Sequence, residues 1–222
     1  MVNIIKLLTQ RVTIGVIILI VHLFLLTNAS WLFGSFAAQA VAELTTYMLF
    51  TVFAMAAFAA PMPLIGNKVE GFYSFIFSFI ATLVVAYYFI VPMLSVSGTL
   101  ATVIASLGSI QAVLAFGLLF AFVKAFDEEV VFRHILQKVA GLGIYIQAIM
   151  FGLFHTAMLF ATVYLVSGMA GVIASMGLLT ILGIIWGFMS ASGKNGLMLA
   201  LGSHFAWNLT VLGLAASILP GV

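Results

Sequence analysis

The stretch Lys124-Ala125-Phe126-Asp127-Glu128-Glu129-Val130-Val131-Phe132-Arg133-His134 decides how this chain is read. It places five charges and a histidine in eleven residues of an otherwise apolar sequence. Ser109 to Val123 before it is apolar, and after Lys138 a Gly141–Gly143 turn leads into another apolar run. Either a helix stops near Phe126 and leaves the charges at a surface, or it continues to Lys138 and carries them inward. Composition weighs on the choice. Hydrophobic residues make up 65% of the 222 positions, and charged residues only 5%. A soluble domain needs roughly 25% charged residues to present a wet surface. So little charge cannot cover a water-exposed globule, and most of the surface must face lipid. The net charge of +2 reflects few charges rather than a basic patch, and nothing supports nucleic-acid binding. With no cysteine there is no disulfide, no thiolate zinc site and no cysteine nucleophile.

A hydrocarbon core about 30 Å thick takes about 20 helical residues to cross, whereas barrel strands would alternate over ~10 residues. Nothing here alternates. Apolar runs extend over Val12–Phe33, Val41–Ala60, Gly71–Val91, Ser109–Lys138, Gly143–Leu165, Gly171–Ser190 and Leu197–Leu219. They predict an all-α polytopic helix bundle of about seven transmembrane helices, with residues 1–222 forming a single transmembrane domain. Breaks fall at Pro61-Pro63-Gly66-Asn67, Pro92-Ser97-Gly98, Gly141-Gly143 and Gly193-Lys194-Asn195-Gly196. Residues 93–108 read as an outer loop, a re-entrant segment or a short eighth helix. With seven spans, all seven basic residues (Lys6, Arg11, Lys68, Lys124, Arg133, Lys138 and Lys194) lie on one side. The positive-inside rule makes that side the cytoplasm, with the N-terminus inside and the C-terminus outside. Lys6 and Arg11 before an apolar run resemble a signal peptide, but no clean small-x-small site follows, so a retained helix is expected. Asn28-Ala29-Ser30 and Asn208-Leu209-Thr210 match the glycosylation pattern by chance, the second within an apolar span.

Ionisable groups within a bilayer cost at least about 2.5–3.5 kcal/mol each, so they mark function by default. Besides the acidic cluster, His155 and His204 stand in strongly apolar helices. At 1.5 Å per residue, His204 lies about 12–13 Å and His155 about 18 Å from the inner ends of their helices. Glu128 reaches a matching depth of about 15 Å only if Ser109–Lys138 is one continuous helix, which is therefore the expectation. Four-residue spacing puts Glu129 and Arg133 on one face as an ion pair, and Lys124 and Glu128 likewise. Glu128 then projects about 100° away from Glu129, free for chemistry. His204 and Asn208 share a face, setting an imidazole beside an amide.

Three motifs stand in order: Glu128-Glu129-Val130-Val131-Phe132-Arg133, Phe151-Gly152-Leu153-Phe154-His155 and His204-Phe205-Ala206-Trp207-Asn208. Together they resemble the E-E-x-x-x-R, F-x-x-x-H and H-x-x-x-N set of the CPBP family, the type II CAAX prenyl endopeptidases and bacteriocin-processing proteins. The match spans residues 124–210, within a catalytic core at 109–210, and the first hundred residues add only hydrophobicity. Many bacterial members carry glycine where His134 stands. The resemblance implies an intramembrane endopeptidase of a prokaryotic cell membrane, with its active site facing the cytoplasm. It would act on membrane-anchored protein or peptide substrates near their C-termini, prenylated CAAX-type chains among them. It also implies that Glu128 and His155 activate water while His204 and Asn208 stabilise the oxyanion. Glu129 with Arg133 would hold the site's shape, and Phe151 would pack beside His155.

Two mechanisms stay open at this point. One needs no cofactor. In the other, Glu128, His155 and His204 bind zinc with an open position for water, although the H-E-x-x-H signature is absent. The family comparison favours the metal-free form. The G-x-S-G of rhomboids and the aspartate pair of presenilins are missing, and Asp127 is the sole aspartate. Rival readings are a proton-coupled transporter and a catalytically silent membrane interaction protein. Transport needs a polar path to the outer face, where the helices offer only Glu43 and scattered Ser or Thr. Lys124 and Asp127 read as charge compensators, His134 as a water-exposed cavity residue, His22 as structural and Glu70 as a loop residue. Phe72, Phe75 and Phe79 read as a packing stripe. Gly183 and Gly187 permit close helix packing without establishing a dimer, so the oligomeric state stays open.

Overall fold

The structure, a computed structural model, describes residues 36–57, 67–89 and 110–217, preceded by isolated helical positions at Thr13, Val16, Ile17, Ile20 and Val21. Most of the expected first helix, the Asn28 sequon, His22, the Pro61–Gly66 break and residues 93–108 lie outside it. Every element among the described residues is helical. In order they are α1 (Phe36–Ala57), α2 (Lys68–Phe89), α3 (Ile110–Glu128) with a π-helical continuation (Glu129–Val139), α4 (Ile144–Ala191) and α5 (Gly196–Ser217).

The helices turn apolar surface outward. In α1, Tyr47, Phe50 and Ala54 are buried while Met48, Leu49, Val52 and Phe53 are exposed. Lys68–Val85 and Gly168–Ala191 are long and apolar enough to cross a membrane, and few of their residues are buried. A water-soluble core helix would hide such a surface, whereas a lipid-facing one presents it. Glu70, expected in a loop, sits in the first turn of α2, where a carboxylate favours the helix N-terminus.

α4 folds back on itself. Gln147 and Gly183 are 36 positions apart, yet the Gln147 amide donates to the Gly183 carbonyl at 3.2 Å. A straight helix would separate them by about 54 Å. The break is at Gly168, whose φ of 63° lies where only glycine sits without strain. The two arms therefore form an antiparallel hairpin that matches the two spans expected at 143–165 and 171–190. Gly183 lets Ala148 of the opposite arm approach closely, and Gly187 does the same for Ile144 and Gln147. The glycine pair thus serves packing within the chain.

α3 departs from the single helix expected over Ser109–Lys138. After Glu128 the backbone widens into a π-helix that ends with the Ala140 N–H donating to the Ile135 carbonyl at 2.7 Å. Such segments are rare and frequent at functional sites. The wider turn brings consecutive side chains closer in azimuth than an α-helix does.

α5 is seated against α2 through Phe205, which stacks with Phe75 at 6.2 Å and meets Phe79 at 5.3 Å between ring centroids. Phe72 does not join this stripe and is 58% exposed. Gly202 allows the approach, because a Cβ there would collide with the Phe75 carbonyl and the Ser78 hydroxyl. Gly202→Ala is therefore expected to cost about 1–3 kcal/mol, as overpacking does. Gly177→Ala, which meets nothing nearby, should be neutral or slightly stabilising. Thermal melts of the two variants in detergent check this pair.

Candidate active site

Glu128 ends α3 with its side chain almost fully buried, and two imidazoles converge on it. Its Oε1 lies 3.1 Å from His155 Nε2 on the first arm of α4, and its Oε2 lies 3.3 Å from His204 Nε2 on α5. Three elements distant in sequence thus meet at one carboxylate. Lys124, one turn earlier and partly exposed, lies 3.9 Å from Oε1.

Protons follow from the partners. His155 Nδ1 faces the Phe151 carbonyl at 2.9 Å, and a carbonyl only accepts, so Nδ1 carries a hydrogen. Nε2 therefore shares a proton with Glu128. His204 presents both ring nitrogens to carboxylates, Nε2 to Glu128 and Nδ1 to Glu129 Oε1 at 2.9 Å. Glu129 thus does more than pair with Arg133, which was its expected role. The π-helical turn places both glutamates within reach of His204, instead of sending Glu128 alone toward it.

Arg133 lies 3.5 Å from Glu129 through Nε, a loose pair, while its Nη1 donates to Gln147 Oε1 at 2.5 Å. Its guanidinium also sits 4.9 Å from the centre of the Phe151 ring, a cation–π arrangement. Phe151 is the wall on which the site is assembled. Its ring lies 4.1 Å from that of His155, 5.7 Å from Trp186 and 5.1 Å from Phe132. Trp186 stacks on His204 with centroids 3.9 Å apart and planes 13° apart.

Asn208 is not oriented on His204. Its amide donates to the Ala121 carbonyl of α3 at 3.3 Å, which uses one of its two hydrogens. Asp127 accepts a hydrogen bond from the Thr51 hydroxyl of α1. His134, expected to be water-exposed, is buried. Three contributors escaped the sequence reading: Gln147, Trp186 and Thr51. A polar Gln147 in an apolar helix was a usable signal. Trp186 and Thr51 carried none, since tryptophan and threonine are ordinary in membrane helices.

Among the described residues no three His, Asp or Glu side chains stand in the geometry of a metal site. The imidazole Nε2 atoms of His155 and His204 lie against the Glu128 oxygens themselves. Two imidazoles and a carboxylate are donor types that zinc accepts, and the reaction derived from these residues passes no step through a metal.

Buried acidic and imidazole groups are thus gathered inside a bundle whose helices turn apolar surface outward. Residues 110–210 match a family model described as Type II CAAX prenyl endopeptidase Rce1-like, and over this region the chain is similar to that family. That family is one of integral membrane proteases, and the likeness supports a CAAX-type intramembrane protease activity in general. No curated protein and no solved structure matches the chain.

Gln147→Leu should lower thermal stability by about 1.5–3 kcal/mol, because it strips a buried guanidinium of its aligned acceptor. Gln147→Glu, which keeps the acceptor for Arg133 but loses the donor to the Gly183 carbonyl, should restore only part of the loss in the same unfolding experiment.

Proposed function

We propose that the chain is an intramembrane endopeptidase that hydrolyses a peptide bond near the C-terminus of a membrane-anchored, CAAX-type protein substrate. The observation that carries this reading is Glu128 held between His155 and His204 at 3.1 and 3.3 Å in a buried site. In the proposed reaction a water gives its proton to Glu128 while its oxygen bonds to the scissile carbonyl carbon. His155, pinned by the Phe151 carbonyl, steadies the carboxylate. The tetrahedral oxyanion takes hydrogen bonds from His204 and from the second amide hydrogen of Asn208. Donors fixed in a water-poor site stabilise such charge more than donors in bulk water. Collapse breaks the C–N bond, and the proton held by Glu128 passes to the leaving amine. Glu129, Arg133 and Phe151 keep the assembly in shape. Zinc is not required in this scheme. A seven-span arrangement with the N-terminus and the site facing the cytoplasm follows from the distribution of basic residues.

Purified protein in detergent, offered prenylated and unprenylated CAAX-type peptides, tests the chemistry. Glu128→Ala and His155→Ala should each lower the cleavage rate at least about 100-fold, the scale of a lost general base. Undiminished cleavage by both would overturn the assignment. A chelator should leave the wild-type rate intact, and loss restored by added zinc would replace the metal-free scheme.

Orientation has its own test, since the chain has no cysteine to remove first. Ser192→Cys, in the exposed turn between α4 and α5, should react with an impermeant maleimide in inside-out vesicles and not in intact cells.

A further inference from the structure

Two helices lie outside the family-matched residues, and each sends one hydroxyl to the back of the site. From α1, Thr51 donates to Asp127, the residue immediately before Glu128. From α2, Thr82 donates to Ser203, the residue immediately before His204, at 2.7 Å. Ser203 also accepts the Trp186 indole N–H at 3.0 Å, and that indole is the ring stacked on His204. We infer that α1 and α2 set the positions of Glu128 and His204 through Thr51–Asp127 and Thr82–Ser203–Trp186. This rests on the reading that Glu128 and His204 are the reacting groups.

Helix adhesion is a poor reason for these hydroxyls. Interhelical hydrogen bonds in membranes average only about 0.6 kcal/mol. The α2–α5 contact is already built from Phe75, Phe79 and Phe205, with Gly202 allowing backbone approach. What the hydroxyls add is direction. Asp127 stands in the last turn of α3, two residues before the π-helix, so holding it fixes the azimuth at which Glu128 leaves the helix. Thr82 and Ser203 fix the indole plane, and the indole fixes the plane of the His204 ring. Thr51 and Thr82 touch no reacting atom in this scheme and are positioning residues.

Thr51→Val and Thr82→Val keep the side-chain shape and delete only the hydroxyl. Each should lower kcat about 10- to 100-fold, the scale seen when an orienting partner is removed, with KM little changed. Thr→Ser at either position should restore kcat. A second readout needs no turnover: ring nitrogen resonances of isotope-labelled histidine, of which the chain has four. Thr82→Val should move the His204 signals alone, and Thr51→Val should move those of His155 and His204 through Glu128. Wild-type kcat and unmoved imidazole signals in both Val variants would overturn the inference. If the wild-type protein cleaves no peptide, the proposed function fails, while the imidazole signals still decide whether these threonines position the site.

Discussion

A carboxylate withdrawn into an apolar bundle must be met by donors, and that requirement organises this structure. Glu128 is almost wholly buried, and a charge left unpaired there would cost more than any nearby packing contact returns. Its partners come from α4 and α5, with Lys124 from its own helix. Satisfying one side chain therefore ties together the three helical elements that carry the family-matched region. The same demand spreads outward. Once His204 is drawn to Glu128, its other nitrogen needs a partner and takes Glu129, which in turn faces Arg133. Arg133, with no exposure, then relies on Gln147, whose amide is anchored on the Gly183 carbonyl. Each polar group is placed by the need of the one before it.

The backbone accommodates this chain of needs at two points. The π-helical turn after Glu128 lets adjacent glutamates serve one imidazole, which a regular α-helix would separate by about 100°. The reversal at Gly168 lets one apolar run supply both His155 and the Trp186 that stacks on His204. Phe151 joins the two, lying against both imidazoles, the indole and the guanidinium. An aromatic face accepts the cation, and its edges pack the rings, so one residue closes an apolar wall around the polar groups.

Much of this was legible in the sequence, because membranes make polar residues conspicuous. Membrane residence followed from charge content, the helical class from the length of the apolar runs, and depth arithmetic from the turns was enough to bring Glu128, His155 and His204 to one level. Spacing of four gave the Glu129–Arg133 pair. What escaped has physical reasons. The α-to-π change is a backbone response to tertiary demands and has no local signature in Glu129–Val139. Asn208 shares a helical face with His204, but face alone does not choose between an imidazole and a carbonyl, and the Ala121 carbonyl holds its amide. The early helices looked like pure hydrophobic filling, because single threonines cost little in a membrane helix and do not stand out. Thr51 and Thr82 acquire meaning only once α1 and α2 are seen packed behind Asp127 and Ser203.

The two oxygens of Glu128 are not equivalent, and the difference bears on the proposed reaction. Oε1 accepts from His155 at 3.1 Å and has Lys124 at 3.9 Å. Oε2 has His204 at 3.3 Å without hydrogen-bond alignment and no aligned donor among the described residues. A buried oxygen left in that condition is the one with a lone pair to offer. On the proposed reading Oε1 is therefore the anchor that fixes the carboxylate, and Oε2 is the atom that receives the water's proton. Its neighbour is the His204 nitrogen assigned to the oxyanion. On that reading base and oxyanion donor stand on one side of the carboxylate, with His155 on the other.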